Sequence, residues 1–225
     1  TLFKDVVAQD NADRLAVIDE QGAPLGEEYT LVLSVDDYLR SMGSPQTVVT
    51  NLSTTMAVDR VAARYGSVVE RTAVGEINVV GRMKQVGAEL GGEGNGGVIL
   101  KQVHLGRDSL VGAAIILNSM ARMSQSLSDI FQQLPHFHMV KEKITVDGSM
   151  AEESWQRIAE NFDGAKTNFV DGLKLQWSDR WVHIRCSNTE PIVRIYAEAQ
   201  TENEAIALVR EVSELDIFAA SSAIL

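Results

Sequence analysis

Between residues 31 and 120 the chain alternates between strand-like and helix-like patterns, and this alternation restricts the fold more than any other feature. Val48-Val49 reads as a short apolar strand leading to Asn51-Leu52-Ser53-Thr54, and Val58, Val61, Ala62 and Tyr65 then share one helical face ahead of Gly66. Val68-Val69 opens the next strand, which runs on through Arg71-Thr72-Ala73-Val74-Gly75-Glu76. A second helix follows to about Val86 and stops at Gly87. Ala88-Glu89-Leu90, a glycine-rich turn and Val98-Ile99-Leu100 come next, before a long helix over roughly 109–123. Strands separated by helices predict parallel βαβ units, because a helical crossover returns the chain to the same end of the sheet. Loops at the carboxyl ends of such strands carry function. Here they are 51–55, 71–76 and 91–97.

A different style begins near Met139. Lys141–Asp147 reads as a strand, and Ser149 with Glu152 as a capping box ahead of Trp155, Ile158 and Phe162. Asp171-Gly172 between Phe169-Val170 and Leu173-Lys174-Leu175 predicts a two-residue hairpin. Trp181–Cys186 and Ile192–Ala199 are further strands, and Thr201 with Glu204 caps a last helix through Leu208 and Val212. Ahead of both regions, 5–8 and 15–19 predict two strands around an acidic turn, and 20–30 a polar connection. The fold class is α/β: a parallel βαβ domain, then an α+β domain with an antiparallel sheet and two helices. The expected spans are 1–30, 31–137 and 138–225.

A formal net charge of -11 argues against a nucleic-acid partner, though a few local arginines can still hold a small phosphate. The longest apolar run, near Val111–Leu117, is far short of a bilayer span. The lone Cys186 permits no internal disulfide and no cysteine metal cluster, which favours a reducing, cytoplasmic setting. The chain opens on Thr1 and enters strand-like sequence almost at once, so it is expected to begin inside a larger protein.

Three constellations could carry chemistry. Gly92-Glu93-Gly94-Asn95-Gly96-Gly97 puts a carboxylate and an amide on a loop whose backbone can approach a ligand closely. By spacing alone, a glycine-rich β-turn is the simpler reading. Arg185-Cys186-Ser187-Asn188-Thr189-Glu190-Pro191, with Arg194 following, gathers guanidinium, hydroxyl and amide donors suited to a phosphate dianion. A polar hairpin bonding its own backbone fits equally well. Asp10-Asn11-Ala12-Asp13-Arg14 offers hard oxygen donors of the kind Mg²⁺ takes, but by residue type alone two carboxylates favour a solvated turn. Arg107-Asp108 reads as a helix cap or a local ion pair, and His183 as facing either a cleft or the sheet surface.

In order and spacing these stretches resemble the α-D-phosphohexomutase family over nearly the whole chain. Gly92–Gly97 is similar to its sugar-binding loop, 185–191 with Arg194-Ile195-Tyr196 to its phosphate-binding loop, and Asn51–Thr54 with Val74–Asn78 to its third domain. The resemblance makes 1–30 the end of domain two, with the metal-loop region, and the rest domains three and four. It implies phosphate transfer between two hydroxyls of a hexose, through a phosphoserine and a bisphosphate intermediate, with Mg²⁺ as cofactor. Glu93 and Asn95 would contact the sugar. Arg185, Ser187, Asn188, Thr189 and Arg194 would hold the non-reacting phosphate, Asp10 and Asp13 the metal, and Arg14 would be catalytic.

Two departures stand out. The family's serine lies in a Ser-His-Asn-Pro stretch of domain one, and no Ser-His dipeptide occurs here, so the chain alone is expected to be inactive. The acidic loop is also one residue shorter than the family pattern. Expected partners are a hexose phosphate or bisphosphate and the missing N-terminal domains, with no nucleic acid and no membrane. Glucosamine is favoured over glucose and mannose, all three staying open. The alternative is a truncated, non-catalytic sugar-phosphate-binding module.

Overall fold

The computed structural model describes residues 6–9, 13–146, 150, 152–187 and 190–219. The chain divides into two compact units, 1–135 and 136–225.

The first unit starts with a two-stranded antiparallel sheet, β1 (Val6–Gln9) and β2 (Arg14–Val17). Then follow α1 (Glu27–Met42), β3 (Thr47–Asn51), α2 (Ala57–Arg64), β4 (Val68–Thr72) and α3 (Glu76–Val86). β5 (Leu90–Glu93), β6 (Gly97–Leu100), α4 (Ser109–Met123) and α5 (Leu127–Gln132) complete the unit. The main sheet runs β4-β3-β5-β6. β3 pairs in parallel with β4 and with β5, while β6 turns back antiparallel to β5. The chain thus builds outward from β3 to β4, then crosses to the other side of β3 to lay down β5. Such a change of direction opens a crevice at the carboxyl ends of the strands.

Helices cover both faces of this sheet. A Cβ on Gly91 would strike Met83 of α3, and one on its neighbour Gly92 would strike Leu31 of α1. Successive strand residues point to opposite faces, so α3 and α1 lie on opposite sides. Val49, Val79, Met83, Ala88 and Ile99 form the cluster under α3.

α1 begins at Glu27, inside the segment expected to be a polar connection, and the expected boundary at residue 30 falls within it. Its buried positions include the unbroken run Tyr29–Asp37, so it shows no clear apolar stripe in sequence. The buried hydroxyls are satisfied internally: Thr30 Oγ1 donates to Leu15 O at 2.8 Å, and Ser34 Oγ to Thr30 O at 2.8 Å. α4 spans the expected range, and Asp108 caps it by accepting from the backbone N–H groups of Leu110 (2.8 Å) and Val111 (3.1 Å).

The second unit contains β7 (His138–Thr145), α6 (Glu152–Ala159), β8 (Lys166–Asn168), β9 (Leu173–Gln176) and β10 (Trp181–Cys186). It continues with β11 (Ile192–Ala199), α7 (Glu202–Ser213) and α8 (Asp216–Ala219). The five strands form one antiparallel sheet in the order β7-β11-β10-β9-β8. Its core face, with Leu173, Val182, Ile184 and Ile195, packs against Trp155 and Ile158 of α6 and Leu208 and Val212 of α7. Thr201 and Glu204 make the expected capping box. Ser149 of the other expected box lies outside the described residues.

One turn differs from expectation. β8 ends at Asn168 and β9 starts at Leu173, with Asn168 opposite Lys174, so the connection holds four residues and Phe169 and Val170 are exposed. The Asn168 carboxamide accepts from Val170 N–H at 2.9 Å, an Asx turn that draws the chain out of the ladder before Asp171-Gly172 is reached.

Candidate functional site

Three connections meet on one carboxylate in the first unit. Glu93 ends β5, only 3% exposed. Its Oε1 accepts from Asn51 Nδ2 at 2.7 Å and from the Gly75 N–H at 3.0 Å. Its Oε2 faces Arg107 Nη1 at 3.4 Å. The 51–55, 71–76 and 91–97 loops are therefore brought together, with Glu93 as the joint. A buried carboxylate is tolerated only with such partners.

Each partner is itself held. Asn51 Oδ1 accepts from Ser53 N–H (2.9 Å) and Thr54 Oγ1 (3.0 Å), and Thr54 Oγ1 in turn accepts from Gly94 N–H at 3.0 Å. Arg71, at the end of β4, donates to the carbonyls of Asn51 (2.9 Å), Thr54 (2.8 Å) and Thr55 (3.0 Å). Arg107 lies beyond β6. Besides Glu93 it reaches Glu76 Oε2 through Nε at 2.9 Å and Asp13 Oδ2 through Nη2 at 2.6 Å.

Side chains approach Gly94 and Gly97 of this loop closely. A Cβ on Gly94 would stand 1.8 Å from Glu28 Oε2, and one on Gly97 2.3 Å from Arg107 Cδ. Asn95 Oδ1 is buried and has no hydrogen-bond partner.

Of the acidic segment, Asp10 lies outside the described residues, as do Asn11 and Ala12. Asp13 Oδ2 is paired with Arg107, and its Oδ1 faces Arg14 Nε at 3.7 Å. Among the described residues this donor set does not fit Mg²⁺. It is one carboxylate with a guanidinium against each oxygen, whereas the ion needs several open oxygens in octahedral array. No group of three or more His, Cys, Asp or Glu side chains among the described residues could hold a metal ion.

The second unit carries the other constellation. Arg185 of β10 sits opposite Arg194 of β11, both on the face away from the core. Arg185 Nη1 lies 3.9 Å from Asp171 Oδ2, and Arg194 Nη2 donates to Glu190 Oε2 at 3.1 Å. The Nε of each arginine is buried and has no hydrogen-bond partner. Two like charges side by side on one sheet face repel, so an anion between them is favoured. Ser187 lies on the same turn, its N–H donating to Ile192 O at 2.9 Å. Asn188 and Thr189 lie outside the described residues.

His183 precedes Arg185 on that face, 1% exposed. Its Nε2 lies 2.6 Å from Asp171 O, and a carbonyl can only accept, so Nε2 carries the proton. Burial, with the charges of Lys174 and Arg185 behind it, pulls the imidazole down to about 4 against the opposing pull of Asp171.

Sequence reasoning gave no site role to Arg71 or Asp171 and did not link Arg107 to Asp13, Glu76 and Glu93. Arg107 departs from expectation: its contacts are remote rather than local, and Asp108 alone makes the cap. Position could have signalled Arg71, since an arginine at a parallel strand's carboxyl end faces the neighbouring loop.

Comparison with known proteins agrees with this layout. The family described as phosphoglucomutase/phosphomannomutase, alpha/beta/alpha domain III, matches residues 26–137, and its C-terminal domain matches 140–215. The phosphoglucomutase/phosphomannomutase of Thermococcus kodakarensis is 37% identical over 214 residues, covering 94% of this chain and 46% of the relative. A probable phosphoglucosamine mutase of Methanopyrus kandleri is 31% identical, covering 87% of this chain and 43% of the relative. This chain thus spans less than half the length of either. A phosphoglucomutase/phosphomannomutase family protein from Burkholderia thailandensis shares the fold, with a TM-score of 0.77 at 24% identity over 95% of this chain and 45% of that one.

Proposed function

The chain belongs to the phosphoglucomutase/phosphomannomutase family, and on that premise we propose that it supplies the sugar-binding and phosphate-binding half of a phosphohexomutase. The parent moves a phosphate between two hydroxyls of a hexose phosphate, by way of a phosphoserine and a bisphosphate. No Ser-His dipeptide is present, so the serine comes from a segment outside this chain and the chain alone does not turn over. A glucosamine phosphate is the favoured substrate. The relatives are named for both phosphoglucosamine and phosphoglucose or phosphomannose chemistry.

The observation that carries the reading is Glu93, a buried carboxylate on which three strand-end connections converge. Glu93 and Asn95 accept from sugar hydroxyls. Arg185, Ser187 and Arg194, with Asn188 and Thr189, grip the phosphate that is not reacting. Holding that distal group orients the reacting end and removes rotational freedom before chemistry starts. Arg14, beside Asp13, is assigned to the reacting phosphate. No step is drawn through Mg²⁺, since the described residues do not furnish its donor set.

Titration calorimetry of this chain with glucose 1,6-bisphosphate tests the reading. Saturable heat is expected, and no heat at millimolar ligand would overturn it. A mutase assay on the chain alone separates the two roles. No turnover is expected, and conversion by the chain alone would defeat the assignment of the serine to another segment.

A further inference from the structure

We propose that Arg107 is a sugar-binding residue, which together with Glu93 and Asn95 recognises two adjacent ring hydroxyls of the hexose. The inference rests on the assignment of Glu93 to the sugar and adds a residue to that site.

Access comes first. The Glu93 side chain is 4% exposed and that of Arg107 20%, and the two are in contact. The guanidinium is the more open member of the pair, so a ligand bound at the carboxylate has Arg107 beside it.

Unused bonding capacity points the same way. Glu93 Oε1 already has two partners, at 2.7 and 3.0 Å. Among the described residues Oε2 has only the contact with Arg107, which at 3.4 Å is long for a hydrogen bond and leaves that oxygen short of partners. A guanidinium has five N–H groups. The bonds to Asp13, Glu76 and Glu93 use one each, and the others have no protein partner among the described residues. Asn95 Oδ1 is buried and unpartnered.

These groups are close together. Arg107 Cδ and Asn95 Oδ1 stand 2.3 and 3.1 Å from the same point, the position of a Cβ on Gly97. Two under-used acceptors and a charged donor with N–H groups to spare match a pair of vicinal hydroxyls, each of which donates once and accepts. The contacts to Asp13 and Glu76 fix the planar fork, so Nη1 stays beside Glu93 and offers its second N–H to the sugar.

The test is calorimetric titration of the 225-residue chain with glucose 1-phosphate and with monodeoxy analogues, one for each ring hydroxyl. Arg107→Gln should weaken binding of glucose 1-phosphate by roughly tenfold or more, the size of a charge-assisted hydrogen bond. That loss should shrink to near nothing for at least one deoxy analogue, because the missing hydroxyl has no bond left to lose. An equal loss across all analogues, or no loss, would overturn the proposal and leave Arg107 a structural cross-link. If the wild-type chain bound none of the ligands, the sugar assignment of Glu93 would fall, and this proposal with it. Should Arg107→Gln fail to fold, Arg107→Lys keeps a positive charge among the three carboxylates and carries the same comparison.

Discussion

Asn51 Nδ2 stands 2.7 Å from Glu93 Oε1, and this bond joins the carboxyl end of β3 to the carboxyl end of β5. The two residues are 42 positions apart in sequence, and both are buried. Asn51→Leu should strip one partner from a buried carboxylate and free Ser53 N–H and Thr54 Oγ1 as well. The expected cost is about 2–3 kcal/mol of stability, read by urea unfolding of the first unit's transition. A change under about 0.5 kcal/mol would mean that Glu93 is satisfied without Asn51.

Gly94→Ala tests the close approach of α1 to the loop. The new methyl lands on the Glu28 carboxylate, which also accepts from Thr55 N–H at 2.9 Å. Steric displacement here should cost roughly 1–3 kcal/mol. Sugar-phosphate affinity should fall with it, since Gly94 N–H bonds Thr54. Thermal melting and calorimetry on the same sample measure both effects.

Arg185→Ala should weaken binding of a hexose phosphate by about 1.5–3 kcal/mol, the range for a charged hydrogen bond. The same substitution should leave a neutral sugar's binding unchanged. Competition by inorganic phosphate gives the readout, and undiminished phosphate binding in the variant would remove the arginine pair from the site.

His183 predicts a pH effect. Its folded value, about 4, lies below the ordinary 6.5, so the unfolded chain takes up the proton first as the solution is acidified. The stability tied to the neutral ring is present above 6.5 and is lost as pH falls toward 4, a contribution of at most about 3 kcal/mol. His183→Gln should flatten that part of the stability curve between pH 6.5 and 4.5, measured by unfolding at successive pH values.

The parts of the fold readable from sequence are those with local causes. α4 has an aspartate cap and a clean end, and α7 has a Thr201–Glu204 box, so both were placed from a few residues. The βαβ alternation is legible because α2 and α3 each bury a stripe and end at or beside a glycine. α1 is illegible because it is wrapped on all sides: the buried run Leu31-Val32-Leu33-Ser34-Val35 carries no helical period. The hairpin length was misjudged because Asn168 bonds its own neighbours ahead of the Asp171-Gly172 pair. At the site, Glu93, Arg185 and Arg194 could be named from residue type and motif. The contacts of Arg107 could not, because Asp13, Glu76 and Glu93 come together only when the sheet forms. Asp10, Asn188 and Thr189 lie outside the described residues and stay as expectations.

At the other rim of the first unit's sheet, α1, α2 and α3 run out near Gly43, Gly66 and Gly87, where Ser67 Oγ accepts from Gln46 N–H at 2.9 Å and Lys101 Nζ pairs with Glu89 Oε1 at 2.6 Å. The two rims therefore differ in how much they can be edited. Residues added after Gly43, where the chain is exposed, lengthen a surface connection at the modest entropic cost of a longer loop. A single residue added between Asn51 and Thr55 shifts the donors around a carboxylate that is only 3% exposed. Engineering of length, by grafting or by tagging, belongs on the glycine rim.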